Sequence, residues 1–190
     1  MFLPRDDISH IAQIILKGGL ICYPTDTIWG IGCDALNVEA IARLSALRAQ
    51  PAGQGYIVLV DSLDMLKQYV RRMNPRVETL LAYHQRPLTM VYPDPIGLPQ
   101  AVRAADGSAA IRIVLDEFCR ELIRLVQRPI VSAAACKAGE PYPPTFGAIS
   151  SDILSGVDYV VKYRQESKEP RQPSTIARVN RSNELEFLRE

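Results

Sequence analysis

Residues 56–60 read Tyr-Ile-Val-Leu-Val, with no charged or amide side chain among them. A strand with such a run shows apolar groups on both faces, so each face needs a covering layer. Amphipathic helices are available to supply the layers. Residues 7–17 place Ile8, Ile11, Ile14 and Ile15 on one helical face, with Asp7 as N-cap and Gly18-Gly19 as the stop. Residues 37–50 predict a second helix, with Val38, Ile41, Leu44 and Leu47 inward, ended by Pro51. Residues 115–128 predict a third, with Phe118, Leu122, Leu125 and Val126 apolar. Shorter helices are expected within 62–70, 75–84 and 146–156. Further strands are expected in LICY, LTMVYP, AAIRIV, PIVSAA, DYVVKY, STIARV and LEFLR. Residues 94–109 and the charged stretch RQESKEPRQ read as loops, the first with an Asp-Gly turn. Helices and strands alternate without a break in composition. The class is therefore α/β, one domain over residues 1–190 with a twisted mixed sheet flanked by helices.

The totals narrow the function classes. A net charge of +1 carries no global signature of polyanion binding. Cys22, Cys33, Cys119 and Cys136 lack CxxC spacing, and only His10 and His84 could join them at a metal, so no metal site is expected. Buried free thiols point to a reducing, cytoplasmic setting. The opening MFLPRDDISH has acids where a secretory leader would be apolar, and no run reaches membrane-spanning length.

The phosphate loop GxxxxGK[ST], the dinucleotide motif GxGxxG and the nucleophile elbow GxSxG are all absent. What remains is a set of strand ends bearing polar groups: Thr25 and Thr27 in YPTDTIWGIG, Arg112 in AAIRIV, Ser132 in IVSAAAC and Ser174 in QPSTI. Thr and Asp with nearby glycines suit an ordinary turn, and they equally suit a small polar ligand at a strand end. Arg112 is more constrained, because a guanidinium cannot shed its charge. Burial demands either an internal acid, Asp26 for one, or a carboxylate-bearing ligand held bidentately.

Those segments, in that order, resemble the YrdC/Sua5 family of L-threonylcarbamoyladenylate synthases. YPTDTIWGIGCDA is similar to the family's Pro-Thr-(Glu/Asp)-Thr-x-(Tyr/Phe)-Gly-(Leu/Ile)-Gly segment, with Trp29 as the aromatic. RPLTMVYP resembles Pro-Gly-Pro-(Leu/Val)-Thr, with Arg86 in the Gly place; AAIRIV and QPSTIARV resemble two further segments. The resemblance implies that L-threonine, bicarbonate and ATP, with Mg²⁺ brought by the nucleotide and no tightly bound cofactor, give threonylcarbamoyl-AMP and pyrophosphate. A transferase complex would then make t6A in tRNA. It also implies that Thr25, Thr27, Arg112 and Ser174 hold threonine, and that one face accepts double-stranded RNA.

The nucleotide side departs from the pattern. Where the family has Lys-x-Arg and a later Lys, this chain has Arg48, Gln50 and Gln54; where it has Ser-x-Asn, this chain has Ala134 and Cys136, with Ser132 kept just upstream. Three cations become one. Two readings follow: a synthase-like enzyme of weakened activity, or a non-catalytic relative that binds double-stranded RNA or nucleotide. A synthase for another amino acid or carbamoyl donor is a third. Should the loop after the second helix take another path, Lys137, Lys162 and Arg164 are the cations to examine for phosphate contacts.

Overall fold

The computed structural model describes residues 6–180 and 182–190. The reading of the first five residues as something other than a leader lies outside them. Helix α1 (Ile8–Leu16) begins at Asp7, whose carboxylate accepts from the Ser9 and His10 amides at 3.0 and 3.2 Å. It leads into β1 (Ile21–Tyr23), which turns back through residues 24–29 into β2 (Gly30–Gly32). Helix α2 (Val38–Arg48), strand β3 (Ile57–Val60) and the short helices α3 (Leu63–Lys67) and α4 (Pro75–Tyr83) follow. Strands β4 (Leu88–Tyr92) and β5 (Ala109–Ile113), helix α5 (Glu117–Val126) and strand β6 (Ile130–Ala134) complete the middle of the chain. Helix α6 (Ser151–Ser155) and strands β7 (Tyr159–Val160), β8 (Thr175–Val179) and β9 (Leu185–Arg189) finish it.

The strands form one sheet in the order β7-β1-β2-β6-β3-β5-β4-β8-β9. The pairs β1–β7, β3–β5 and β4–β8 are parallel and the rest antiparallel, so the sheet is mixed. Strand β3 is covered on both faces, as its composition requires. Val58 and Val60 enter a large cluster with α2, α3 and α4, while Leu59 enters a second cluster with α1 and α5. The two clusters differ in reach. The larger includes Met90, Tyr92 and Ala177 from β4 and β8, whereas the second holds no residue of β4, β8 or β9. Helices α1 and α5 therefore leave one half of their sheet face without a helical cover.

Three local expectations are corrected. Val38 points outward at 56% exposure, at the first residue of α2; Arg48, at the other end of the helix, is buried. Strand β2, Gly-Ile-Gly, holds two glycines, a residue depleted in strands, and is missed by periodicity. Of DYVVKY only Tyr159 and Val160 pair.

Tyr23 and its hydrogen-bond partner explain Gly32 of β2. Its ring crosses the strand so that its hydroxyl donates to the Val131 carbonyl on β6 at 3.1 Å. A Cβ on Gly32 would fall 2.4 Å from that same oxygen and 2.7 Å from the ring. Gly32→Ala is therefore expected to cost about 3 kcal/mol or more by overpacking. Gly147, with nothing within 4 Å of its added Cβ, is the control. Urea denaturation of both alanine variants checks this; equal midpoints would refute the steric account.

Candidate functional site

Pro24 ends β1 and sends the chain out of the sheet, and the next residues fold on themselves. Thr25 Oγ1 accepts from the Thr27 amide at 3.0 Å, lies 2.9 Å from Thr27 Oγ1 and donates to the Ile28 carbonyl at 2.9 Å. Both threonines are buried, at 1% and 3% exposure. The turn is thus self-satisfied, which fits the ordinary connection, yet Thr25 and Thr27 also line a small cleft. Trp29, Thr145, Arg164 and Arg171 form other parts of its wall. The Trp29 ring packs on Phe146 with centroids 4.9 Å apart.

Between the two threonines, Asp26 turns inward. Its Oδ2 accepts from the Leu115 amide at 3.0 Å, and its Oδ1 lies 3.3 Å from Arg112 Nη2. The two side chains are 8% and 2% exposed. So Arg112 has the internal acid that its burial calls for. The pairing is incomplete, however: Asp26 Oδ1 and Arg112 Nε and Nη2 have no hydrogen-bond partner. Charge is balanced while two strong donors stay unspent, which is costly in a dry interior.

Arg112 belongs to a polar row across the half-face that α1 and α5 leave open. On β4 it faces Thr89, whose Oγ1 lies 2.7 Å from Ser174 Oγ at the start of β8. Arg189 on β9 donates to the Ser174 carbonyl from Nε at 3.0 Å and Nη2 at 2.8 Å. Partial desolvation and then the charge of Arg112 hold the Arg189 guanidinium below its usual range. On the other side, Ser132 and Arg112 both lie beside the Tyr23 phenol, which burial keeps neutral. Thr25, Arg112, Ser132 and Ser174 are thus brought to one region. Arg112, Ser132 and Ser174 do not line the open cleft with Thr25 and Thr27; Arg112 and Ser174 lie beneath the surface, at 2% and 1% exposure. Thr89 and Arg189 were missed as site residues. Thr89 stood in a quoted motif, whereas nothing in LEFLR alone marks Arg189.

The substituted positions also gather. Arg48 Nε donates to the carbonyls of Ala134 and Cys136, both at 3.0 Å, and its Nη1 donates to Gln50 Oε1. Gln50 Nε2 in turn reaches the Gln54 carbonyl at 3.3 Å. Arg48 is 8% exposed. The cation expected to face phosphate is instead a buried tie between the end of α2 and the exit of β6. Burial raises the Cys136 thiol, with Arg48 opposing, so the thiol stays protonated near neutrality.

Two stability predictions follow from these ties. Arg112→Ala strands Asp26 and is expected to cost about 3–5 kcal/mol, with part of it recovered by adding Asp26→Asn. A double-mutant cycle in urea measures this, and additive losses would mean that the pair is uncoupled. Arg48→Lys removes the forked donor and is expected to cost about 1–2 kcal/mol without improving ATP binding. Calorimetry with ATP and a thermal melt read the two effects separately.

Comparison with known proteins places this geometry. A family model described as telomere recombination (Sua5/YciO/YrdC) matches residues 13–190. The threonylcarbamoyl-AMP synthase of Xanthomonas euvesicatoria pv. vesicatoria is 31% identical over 158 residues, which is 82% of this chain and 84% of that protein. That of Xanthomonas campestris pv. campestris strain B100 is 28% identical over the same shares. Among solved structures, Sua5 from P. abyssi in complex with L-threonine superposes with a TM-score of 0.80 at 24% identity, covering 90% of this chain and 50% of that one. E. coli YciO gives 0.80 at 20% identity, covering 96% and 88%. This chain spans half of the archaeal Sua5 chain and most of YciO.

Proposed function

The chain belongs to the Sua5/YciO/YrdC family, and from that premise we propose that it is a threonylcarbamoyl-AMP synthase. The observation that carries the reading is the unspent pair of donors on buried Arg112. Donor atoms of the Arg112 guanidinium with no acceptor, on a side chain that pairs with Asp26 of the Thr25–Thr27 turn and stands opposite Thr89, suit a further carboxylate better than they suit Asp26 alone. Threonine supplies that carboxylate. Bicarbonate loses hydroxide to give carbon dioxide, the amine attacks that carbon to form an N–C bond, and the proton shed by nitrogen leaves with the hydroxide as water. A carbamate oxygen then attacks the α-phosphorus of ATP, and the α–β bridging P–O bond breaks to release pyrophosphate. Little covalent work falls to the protein in such a transfer, so positioning and charge neutralisation dominate. Mg²⁺ would arrive with the triphosphate and offset part of its charge. The product would pass to a transferase acting on tRNA.

A second reading is favoured by one observation, the internal use of Arg48. If no cation meets the phosphates, the chain binds amino acid, nucleotide or double-stranded RNA without turnover. Pyrophosphate release separates the two. With bicarbonate, ATP and Mg²⁺ present, release is expected to depend on L-threonine and to fall at least about 100-fold in Arg112→Lys, since an ammonium cannot present a fork. Threonine-independent release, or none, would set the synthase reading aside.

A further inference from the structure

The synthase reading requires cations at the triphosphate, and the loop after α2 does not present them. Arg48 is buried and donates to two backbone carbonyls and Gln50; Gln50 and Gln54 are neutral. Cationic groups do, however, stand across the cleft. Between β7 and β8 the chain runs through residues 163–172, and Arg164 and Arg171 line the same cleft as Thr25, Thr27 and Trp29.

The two arginines differ. Arg164 is tied to buried Asp116, the N-cap of α5, and lies over the Tyr163 ring at 4.6 Å. That ion pair fixes the start of the loop against α5. Arg171 is partly buried and makes no ion pair or side-chain hydrogen bond with any described residue. Glu169 shares the wall but forms no ion pair with it. A guanidinium held at a cleft wall without a counter-charge is an anion receptor, and its planar fork matches phosphate oxygens.

We propose that the triphosphate of the nucleotide is held from the β7–β8 loop, with Arg171 as its direct ligand and Arg164 as the charge beside it. The cationic role assigned by resemblance to the loop after α2 is thereby moved to the β7–β8 loop. This inference rests on the synthase reading for the identity of the anion; the receptor itself rests on the geometry of residues 163–172.

The test uses the full chain and two probes, Mg²⁺-free inorganic tripolyphosphate and ATP with Mg²⁺, by calorimetry. The wild type is expected to bind both, more weakly as salt rises, because the contact is partly exposed and screened. Arg171→Ala is expected to weaken both at least about tenfold while leaving threonine binding and the melting temperature unchanged. Arg171→Lys should recover part of the loss, and Glu169→Gln should tighten binding about two- to threefold by removing a like charge to the ligand. Gln50→Ala and Gln54→Ala should leave affinity unchanged. Arg164→Gln is made together with Asp116→Asn, so that no buried carboxylate is stranded, and is expected to weaken binding less than Arg171→Ala. Unaltered affinity in Arg171→Ala, with the wild type binding and releasing pyrophosphate, would overturn the assignment and leave the synthase reading intact. A wild type that binds threonine but neither probe would overturn the assignment as well. Absence of both threonine and polyphosphate binding would remove the assignment and the synthase reading together.

Discussion

A guanidinium in the middle of a sheet is the constraint around which the rest is arranged. Arg112 keeps its charge at any pH the protein meets, so the fold must bring an anion to it. Asp26 is that anion, and supplying it determines the path of residues 24–29. With Oδ2 on the Leu115 amide and Oδ1 beside Arg112, the carboxylate pins the turn after β1 to the junction of β5 and α5. Thr25 and Thr27 flank the pinned residue in sequence, so their place at the cleft follows from the same interaction. The pair is nonetheless short of hydrogen bonds. An optimised structural ion pair would use the guanidinium fork fully; this one holds the charge in place and leaves the directional donors over.

The helices set where such a site can exist. Helices α1 and α5 pack on β1, β3 and β6 and stop there, so the β5-β4-β8-β9 half of their face is free of helical cover. Polar side chains on that half do not compete with a core. Arg112, Thr89, Ser174 and Arg189 occupy adjacent strands there, one polar group each, in a row no single stretch of chain could supply. On the opposite face the same strands give Met90, Ile111, Ile113 and Ala177 to the large cluster. Period-two alternation keeps the two uses apart: core on one side, the polar row on the other.

Much of this was legible in the residues. The run at 56–60 announced a doubly covered strand, and the capping residue Asp7 marked a helix start that the structure reproduces. Asp26 was already a stated partner for Arg112, since few acids stand near a strand end with apolar neighbours. What failed did so for identifiable reasons. Val38 fits the helical spacing of Ile41 and Leu44, but spacing says nothing of which turns of a helix are covered. Gly30 and Gly32 carry no strand signal, and the reason for Gly32 is the ring of Tyr23, nine positions earlier. Arg48 stood at a phosphate position by alignment, and residue type gives charge without direction; its fork turned to Ala134 and Cys136. Arg171 depends wholly on the path of an irregular loop, which neither propensity nor periodicity describes.

The substitutions on the α2 side are better understood as one rearrangement than as separate losses. Once the side chain at position 48 is a fork turned inward, it needs acceptors, and the β6 exit provides two carbonyls within reach. Its remaining arm needs another, which a glutamine at position 50 supplies and an arginine could not, since arginine accepts no hydrogen bond. Gln50 then reaches the backbone of Gln54, so the turn is closed by amide chemistry. A second cation at position 50 would lie beside a buried one with no acid between them. Restoring a single family residue in this network therefore breaks a tie before it makes a phosphate contact. Groups bound together in this way respond as a unit, and their substitutions are not additive.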